Sequence, residues 1–144
     1  MKKLVLAATA LALGTAFAWA DVADDREAIM KERGRAMGAL TKVAKGETPF
    51  EASAVLDQLK LLQANAEKTD IDALWPEGSG GGESESSPKI WEDMAGFKAE
   101  HDKYKAAVAA AAAAPPADVA TLQATLGTVG KECGACHEVY RIKK

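Results

Sequence analysis

The chain has 144 residues, of which 48% are hydrophobic and 27% charged, and its formal net charge is −3. This length suits a single domain preceded by a leader. The acidic balance argues against a nucleic-acid partner and provides no polybasic patch for a membrane surface.

The first 20 residues have the order of a secretory signal peptide. Two lysines precede an apolar run, Leu4 to Phe17, and the small-x-small stretch Ala18-Trp19-Ala20 comes directly before Asp21. The apolar run is shorter than the roughly 20 residues of a membrane-spanning helix. We therefore expect cleavage after Ala20, export to the periplasm and one mature domain at residues 21–144, with a retained N-terminal anchor as the alternative. Without the two leader lysines, 16 basic and 21 acidic residues remain, a charge of −5.

Helical periodicity dominates the rest of the chain, and no segment alternates as a strand would. In four stretches, mostly apolar residues recur at alternating spacings of three and four positions. They predict helices over about 22–45, 48–68, 87–114 and 118–140. Such spacing with mostly short connections is typical of an all-α, antiparallel four-helix bundle.

Three of these helices have a predicted capping start. Thr48-Pro49-Phe50-Glu51 has the pattern of a capping box, Ser87-Pro88 has a cap followed by proline, and Asp118 is a cap for the last helix. Residues 69–87 break the helical pattern, and Gly78 to Ser87 is nearly all Gly, Ser and Glu, which predicts a solvated loop there. Trp75 is the one residue of 69–87 that we expect to be buried against the fold.

The fourth helix contains both cysteines of the chain, followed at once by a histidine, in Cys133-Gly134-Ala135-Cys136-His137. This spacing is the haem-attachment signal. On a helix the two cysteines share the inward face, and His137 lies one turn after Cys133. The motif therefore predicts one covalent haem c, bound through thioethers at Cys133 and Cys136, with His137 as the proximal axial ligand of the iron.

Three other interpretations of the two cysteines are weaker. A thioredoxin-like pair lies near a βαβ pattern, which this sequence lacks. A zinc site needs a fourth ligand, and only His101 remains. A structural disulfide leaves His137 unexplained.

The distal ligand decides between electron transfer and gas binding. A second protein ligand suits electron transfer, whereas an open distal side suits binding of small gases. The candidate ligands by residue type are Met30, Met37, Met94 and His101. A methionine on an apolar stripe is usually core filler, and spacing alone does not select among them.

The pattern resembles the class II c-type cytochromes, the cytochrome c′ family, over the whole mature chain. The motifs that carry the likeness are Arg26-x-x-x-Met30, Lys45-Gly46-x-x-Pro49-Phe50, Ser87-Pro88-Lys89-Ile90-Trp91 and Cys133-Gly134-Ala135-Cys136-His137-x-x-Tyr140-Arg141. The likeness is strongest to the low-spin cytochrome c-556 type, in which a methionine matching Met30 is the sixth ligand. High-spin members place another residue there and leave the iron five-coordinate. The resemblance thus implies Met30 as the distal axial ligand.

The resemblance also implies supporting residues. Arg26 and Glu27 match the region near a haem propionate, with a solvated first-turn charge as the alternative for Arg26. Arg141 matches a proximal-side arginine, with a basic helix C-terminus as the alternative. Glu85 matches a haem-contact position, although the Gly/Ser-rich loop here departs from the family pattern.

These inferences predict a periplasmic monohaem c-type cytochrome that carries one electron, with low-spin iron between His137 and Met30. We expect no catalytic residues, because the sequence has no distal His–Arg pair of the peroxidase kind. The expected partners are redox proteins of unknown identity, with no nucleic acid and no membrane span, and the chain would be a monomer or homodimer. The alternative is a five-coordinate, cytochrome c′-like protein that binds nitric oxide or carbon monoxide.

Overall fold

The computed structural model describes residues 8–81 and 84–143, and of residues 8–21 it describes the backbone alone. This part of the chain contains six helices and no strand: α1 Ala8–Ala44, α2 Ala52–Lys68, α3 Ile71–Leu74, α4 Lys89–Glu92, α5 Met94–Ala113 and α6 Val119–Tyr140. The four long helices pack in the ring α1, α2, α5, α6, each against two neighbours. The predicted all-α four-helix bundle is confirmed.

The N-terminal prediction falls partly outside the described residues. Residues 1–7 are not described, and the remainder of the predicted signal peptide continues α1 as helical backbone. Within the described ranges, none of the helices combines the length and the apolar character that crossing a bilayer requires.

The buried side chains form two clusters at different levels of the bundle. The larger cluster contains fully buried side chains from every long helix, including Leu40, Leu59, Val108, Leu122 and Val129. Burying one such aliphatic side chain contributes about 1.5–3 kcal/mol. The smaller cluster is Ile71, Trp75, Ile90, Phe97 and Tyr140. It joins the two short helices to α5 and α6 and borders the candidate site.

The predicted capping box of the second helix is wrong. Helix α2 begins at Ala52, and Glu51 at its N-cap makes no side-chain cap hydrogen bond. The chain first turns at Gly46, whose φ of 73° lies in the left-handed region that favours glycine. The amide of Gly46 donates to Val43 O at 3.0 Å, and an extended segment then carries the chain to α2.

The predicted third helix is divided in two. Helix α4 ends at Glu92 and α5 begins at Met94, and Asp93 between them has φ −139° and ψ 58°. The Asp93 carboxylate accepts the amide of Gly96 at 3.1 Å and the hydroxyl of Tyr140 at 3.0 Å. A tertiary contact to the end of α6 therefore stabilises a break that the continuous stripe does not predict.

The segment that breaks the predicted helical pattern, residues 69–87, is more ordered than that break suggests. It contains α3, capped by Asp70, whose carboxylate accepts the amides of Asp72 and Ala73. Trp75 is buried as predicted, but Ile71 and Ser79 are buried as well, so the expectation of one buried residue is wrong. The capping prediction for α6 is confirmed, because Asp118 forms a capping box with Thr121.

Candidate haem site

A cavity of about 650 Å³ lies between α1, α6 and the loop that joins α3 to α4. Its volume falls in the range of roughly 300–1,000 Å³ that is usual for small-molecule and cofactor sites. Its wall includes the apolar and aromatic side chains of Met30, Trp75, Ile90 and Phe97. Cys136 and His137 line the same space from α6.

Cys133, Cys136 and His137 all lie in the last two turns of α6. Both thiols are half-buried and free, and Cys133 packs against the larger buried cluster one turn before His137. Burial raises the pKa of the Cys136 thiol to about 11 and also raises that of Cys133. Both groups are therefore protonated thiols at neutral pH, unlike the low-pKa thiolates of disulfide exchange enzymes.

The His137 imidazole is held in its neutral form. Burial lowers its pKa, and the nearby charges of Arg141 and Arg33 lower it further. A neutral imidazole nitrogen is the form that binds a metal ion.

Of the four candidate distal residues, the structure brings only Met30 to the cavity that His137 lines. Met94 packs against the smaller buried cluster and Met37 against the larger one, and neither lines the cavity. His101 also lies outside the lining, with its ring centroid 6.4 Å from that of Tyr104.

Arg26 connects the cavity wall to the α3–α4 loop. Only 5% of it is exposed, so the alternative of a solvated charge is wrong. Its Nε donates to Leu74 O at 2.5 Å, and its Nη1 donates to Ser79 O at 3.0 Å. The guanidinium also binds the hydroxyls of Ser79, Ser84 and Ser86. These donors fix the loop that closes one side of the cavity.

The rings of Trp75 and Trp91 pack beside Arg26 and hydrogen-bond to the same loop. Arg26 Cζ lies 5.3 Å from the ring centroid of Trp75 and 5.9 Å from that of Trp91, within reach of cation–π attraction. Trp75 Nε1 donates to Ser86 Oγ at 3.0 Å, and Trp91 Nε1 donates to the carbonyl of Pro76 at 2.9 Å. Phe97 continues the wall in edge contact with Trp75 at 5.0 Å.

Three of the charged residues that line the cavity are Glu27, Glu85 and Arg141. Arg141 binds Glu85 through Nη2 at 2.6 Å and Nε at 2.7 Å, and both residues line the cavity. Arg141 therefore makes a specific ion pair across to the loop and is more than a basic helix end. Glu27 also lines the cavity, is exposed, and pairs with Lys31 at 2.8 Å.

Sequence reasoning missed Ser79, Ser84 and Ser86, because a Gly/Ser-rich stretch gives no local sign of which hydroxyl meets a distant arginine. It also missed the hydrogen bonds of Arg33 to Asn65 and Thr69. The available signal was that Arg33 falls on the 3, 4 spacing of the first helix.

The residues at the cavity fit the predicted haem. The Cys136 thiol and the neutral imidazole of His137 line it from α6, a thioether lines it from α1, and aromatic side chains cover the flanks. Cys133 lies one turn before His137 on α6 but does not itself line the cavity. This donor set supplies covalent attachment and axial ligands of the kinds found in c-type cytochromes.

Comparison with known proteins gives one consistent result. The family model described as Cytochrome C′ matches residues 21–141. A cytochrome c-556 of Agrobacterium tumefaciens (strain apple 185) is 43% identical over 121 residues, covering 84% of this chain and 94% of that protein. The structure of cytochrome c′ from Rhodopseudomonas palustris superposes with a TM-score of 0.78 at 37% identity, covering 86% of this chain and 98% of the other. The structure of a variant of cytochrome c′ from Alcaligenes xylosoxidans, solved as its nitric oxide complex, superposes with a TM-score of 0.76 at 30% identity. The superposition covers 87% of this chain and 97% of the other.

Proposed function

Because the chain belongs to the cytochrome c′ family and therefore carries covalent haem c, we propose that it is a periplasmic one-electron carrier. In this proposal Cys133 and Cys136 hold the haem as thioethers, and His137 and Met30 are the axial ligands of its iron. The haem supplies the one-electron redox chemistry.

The observation that carries the proposal is that His137 and Met30 line one cavity from two different helices. Met30 is the only methionine among the described residues of that lining. A ligand from α1 and a ligand from α6 are each fixed by a long packed helix. Two such ligands limit rearrangement between oxidation states, which favours rapid electron exchange.

The remaining wall residues orient the group and limit its solvation. Trp75 and Phe97 exclude water from the flank of the cavity, and burial of a redox centre is one determinant of its potential. We propose that Arg26 and Glu27 lie in the propionate region, where the positive charge of Arg26 offsets a carboxylate. Arg141 would stand on the proximal side beside His137, held in place by Glu85.

Replacing Met30 with leucine tests the distal ligand. Leucine conserves volume and removes the thioether, so the iron should change from six-coordinate low spin to five-coordinate high spin. Absorption and magnetic spectra of the oxidised and reduced proteins report this change. Met94→Leu is the matched control, because Met94 packs on the same buried cluster without lining the cavity. A high-spin iron in the unaltered protein would overturn the assignment of Met30.

The second candidate function is binding of nitric oxide or carbon monoxide. It is favoured by the solved relatives of the cytochrome c′ type, one of which is a nitric oxide complex. If Met30 is the sixth ligand, carbon monoxide should bind the reduced protein much faster after Met30→Leu. Rapid binding that is the same with and without Met30 would favour the gas-binding function.

The proposed location rests on the leader. The family match begins at Asp21, directly after the predicted cleavage site. Sequencing the N-terminus of the exported protein should give Asp21 as the first residue. An intact N-terminus on a membrane-bound product would favour the retained anchor.

A further inference from the structure

The N-terminal part of α1, which carries Met30, contributes little to the apolar core. Of its described side chains between positions 22 and 35, only that of Arg26 is buried, and Ala36 is the first buried apolar residue of the helix. Polar contacts therefore hold this stretch in place. Asn65 of α2 binds it from one side. At the cavity, Arg26 donates to two backbone carbonyls, one at the end of α3 and one in the loop that follows.

A strap, residues 84–87, connects Arg26 with the end of α6. Three of its four residues line the cavity. Arg26 Nη1 donates to Ser84 Oγ at 3.4 Å and to Ser86 Oγ at 3.5 Å. Trp75, whose ring packs against the guanidinium of Arg26, donates from Nε1 to Ser86 Oγ at 3.0 Å. These contacts tie the strap to the N-terminal part of α1.

Backbone pairing and an ion pair fasten the strap to the end of α6. The amide of Ser87 donates to Tyr140 O at 3.0 Å, and the amide of Ile142 donates to Glu85 O at 2.8 Å. Arg141 binds Glu85 Oε2 through Nη2 at 2.6 Å and through Nε at 2.7 Å. The Arg141 and Glu85 side chains are 51% and 40% exposed, so either can be replaced without opening the core.

The two ends of this connection stand next to the proposed axial ligands. Arg26 lies one helical turn before Met30, and Arg141 lies four residues after His137. Met30 and His137 line the same cavity from α1 and α6. The strap therefore joins the part of α1 that bears one ligand to the end of α6 that bears the other.

We propose that the Glu85–Arg141 ion pair is a positioning device, which holds Met30 at the distal position by keeping the strap closed. This inference rests on the proposed function, in which Met30 is the sixth ligand. When the strap opens, the N-terminal part of α1 loses this connection to α6, and the Met30 thioether leaves the distal position. Carbon monoxide then binds there in exchange for the thioether, and no electron is gained or lost. The population of the open form sets the rate of this exchange.

Breaking the ion pair should accelerate the binding of carbon monoxide. An exposed ion pair favours the state that contains it by a factor of up to about five. Glu85→Gln should therefore raise the rate of association of carbon monoxide with the reduced holoprotein about two- to fivefold, measured by rapid mixing and absorption. Arg141→Gln should raise this rate to the same extent, although it changes the charge of the site in the opposite direction. The double variant should bind no more than about 1.5-fold faster than either single variant, because both substitutions break one contact.

The same substitution in a Met30→Leu protein shows whether the ion pair acts through Met30. Leucine offers no thioether for carbon monoxide to displace. Glu85→Gln in this background should therefore change the association rate by less than about 1.5-fold. A purely structural role of the ion pair would give the same acceleration with and without the thioether.

Lys68→Gln is the matched control. Lys68 binds Glu32 and joins α2 to α1, and these two side chains are 54% and 40% exposed, nearly as much as those of Arg141 and Glu85. Neither Lys68 nor Glu32 lines the cavity. The control should change the association rate by less than about 1.5-fold. An acceleration equal to that of Glu85→Gln would indicate a general loosening of α1 and would overturn the inference.

Unchanged rates in Glu85→Gln and Arg141→Gln overturn the inference, as do rates that move in opposite directions, because these would report the charge of the site and not the strap. An equal acceleration by Glu85→Gln in the Met30→Leu protein overturns it as well. The absorption spectrum of the unaltered protein, recorded before carbon monoxide is added, tests the proposed function separately. High-spin iron in that spectrum would overturn the proposed function, whereas low-spin iron with unchanged rates would overturn only the role of the ion pair.

Discussion

Arg26→Met should destabilise the protein, because Arg26 is the side-chain donor to the carbonyls of Leu74 and Ser79. Methionine keeps the aliphatic stem but leaves the carbonyls of Leu74 and Ser79 without their side-chain donor. An unsatisfied buried acceptor costs about 1–3 kcal/mol. Removing a buried charge offsets part of this cost. The expected loss is about 2–4 kcal/mol in the free energy of unfolding, or about 10 °C in Tm for a domain of this size.

Thermal unfolding of the holoprotein, followed by far-ultraviolet circular dichroism, measures this loss. Hydrogen exchange should show faster exchange at the amides of Ser79 and Ser84, which lie in the loop that Arg26 fixes. The matched control is Glu27→Gln, since Glu27 is exposed and makes an i,i+4 ion pair worth about 0.5 kcal/mol or less. Stability within about 0.5 kcal/mol of the unaltered protein, with unchanged loop exchange, would refute the reasoning.

Two further predictions concern the junction of α4, α5 and α6. Gly96→Ala should cost at least about 2 kcal/mol, because an added Cβ would stand 2.5 Å from the Tyr140 hydroxyl; Gly127→Ala, which meets nothing within 4 Å, should instead stabilise the helix by about 0.5–1 kcal/mol. Chemical denaturation measures both, and equal effects at the two sites would contradict the packing argument. The pKa of Asp93 is lowered by the Gly96 amide and then by the Tyr140 hydroxyl, so its contribution to stability is present above the unfolded-state pKa of about 3.9 and is lost as the pH falls through the folded-state value. In Asp93→Asn, the free energy of unfolding should therefore fall less steeply as the pH drops below about 4. An unchanged pH dependence of the free energy of unfolding in this range would contradict the role of Asp93.

The sequence predicted the features that depend on local pattern. Alternating 3 and 4 spacing identified the long helices, because inward-facing residues recur at the helical period. The capping residue Asp118 acts within its own first turn, and that prediction is confirmed. The class of cofactor followed from the motif at Cys133–His137, whose residues lie next to one another along the chain.

The features that the sequence did not predict depend on contacts between distant segments. The break at Asp93 is stabilised by Tyr140, 47 positions away. Arg26 reaches Ser79 across 53 positions, and Arg33 reaches Asn65 across 32. No local propensity encodes such a partner, so the Gly/Ser-rich loop was interpreted as solvated and the partners of the two arginines were not predicted.

The central claim is that Cys133 and Cys136 hold the haem, and mass spectrometry tests it most directly. The exported protein, digested and analysed under reducing conditions, should yield one peptide that contains Cys133 and Cys136 and carries the mass of a single haem. A peptide with unmodified thiols, or with a disulfide between them before reduction, would contradict the account.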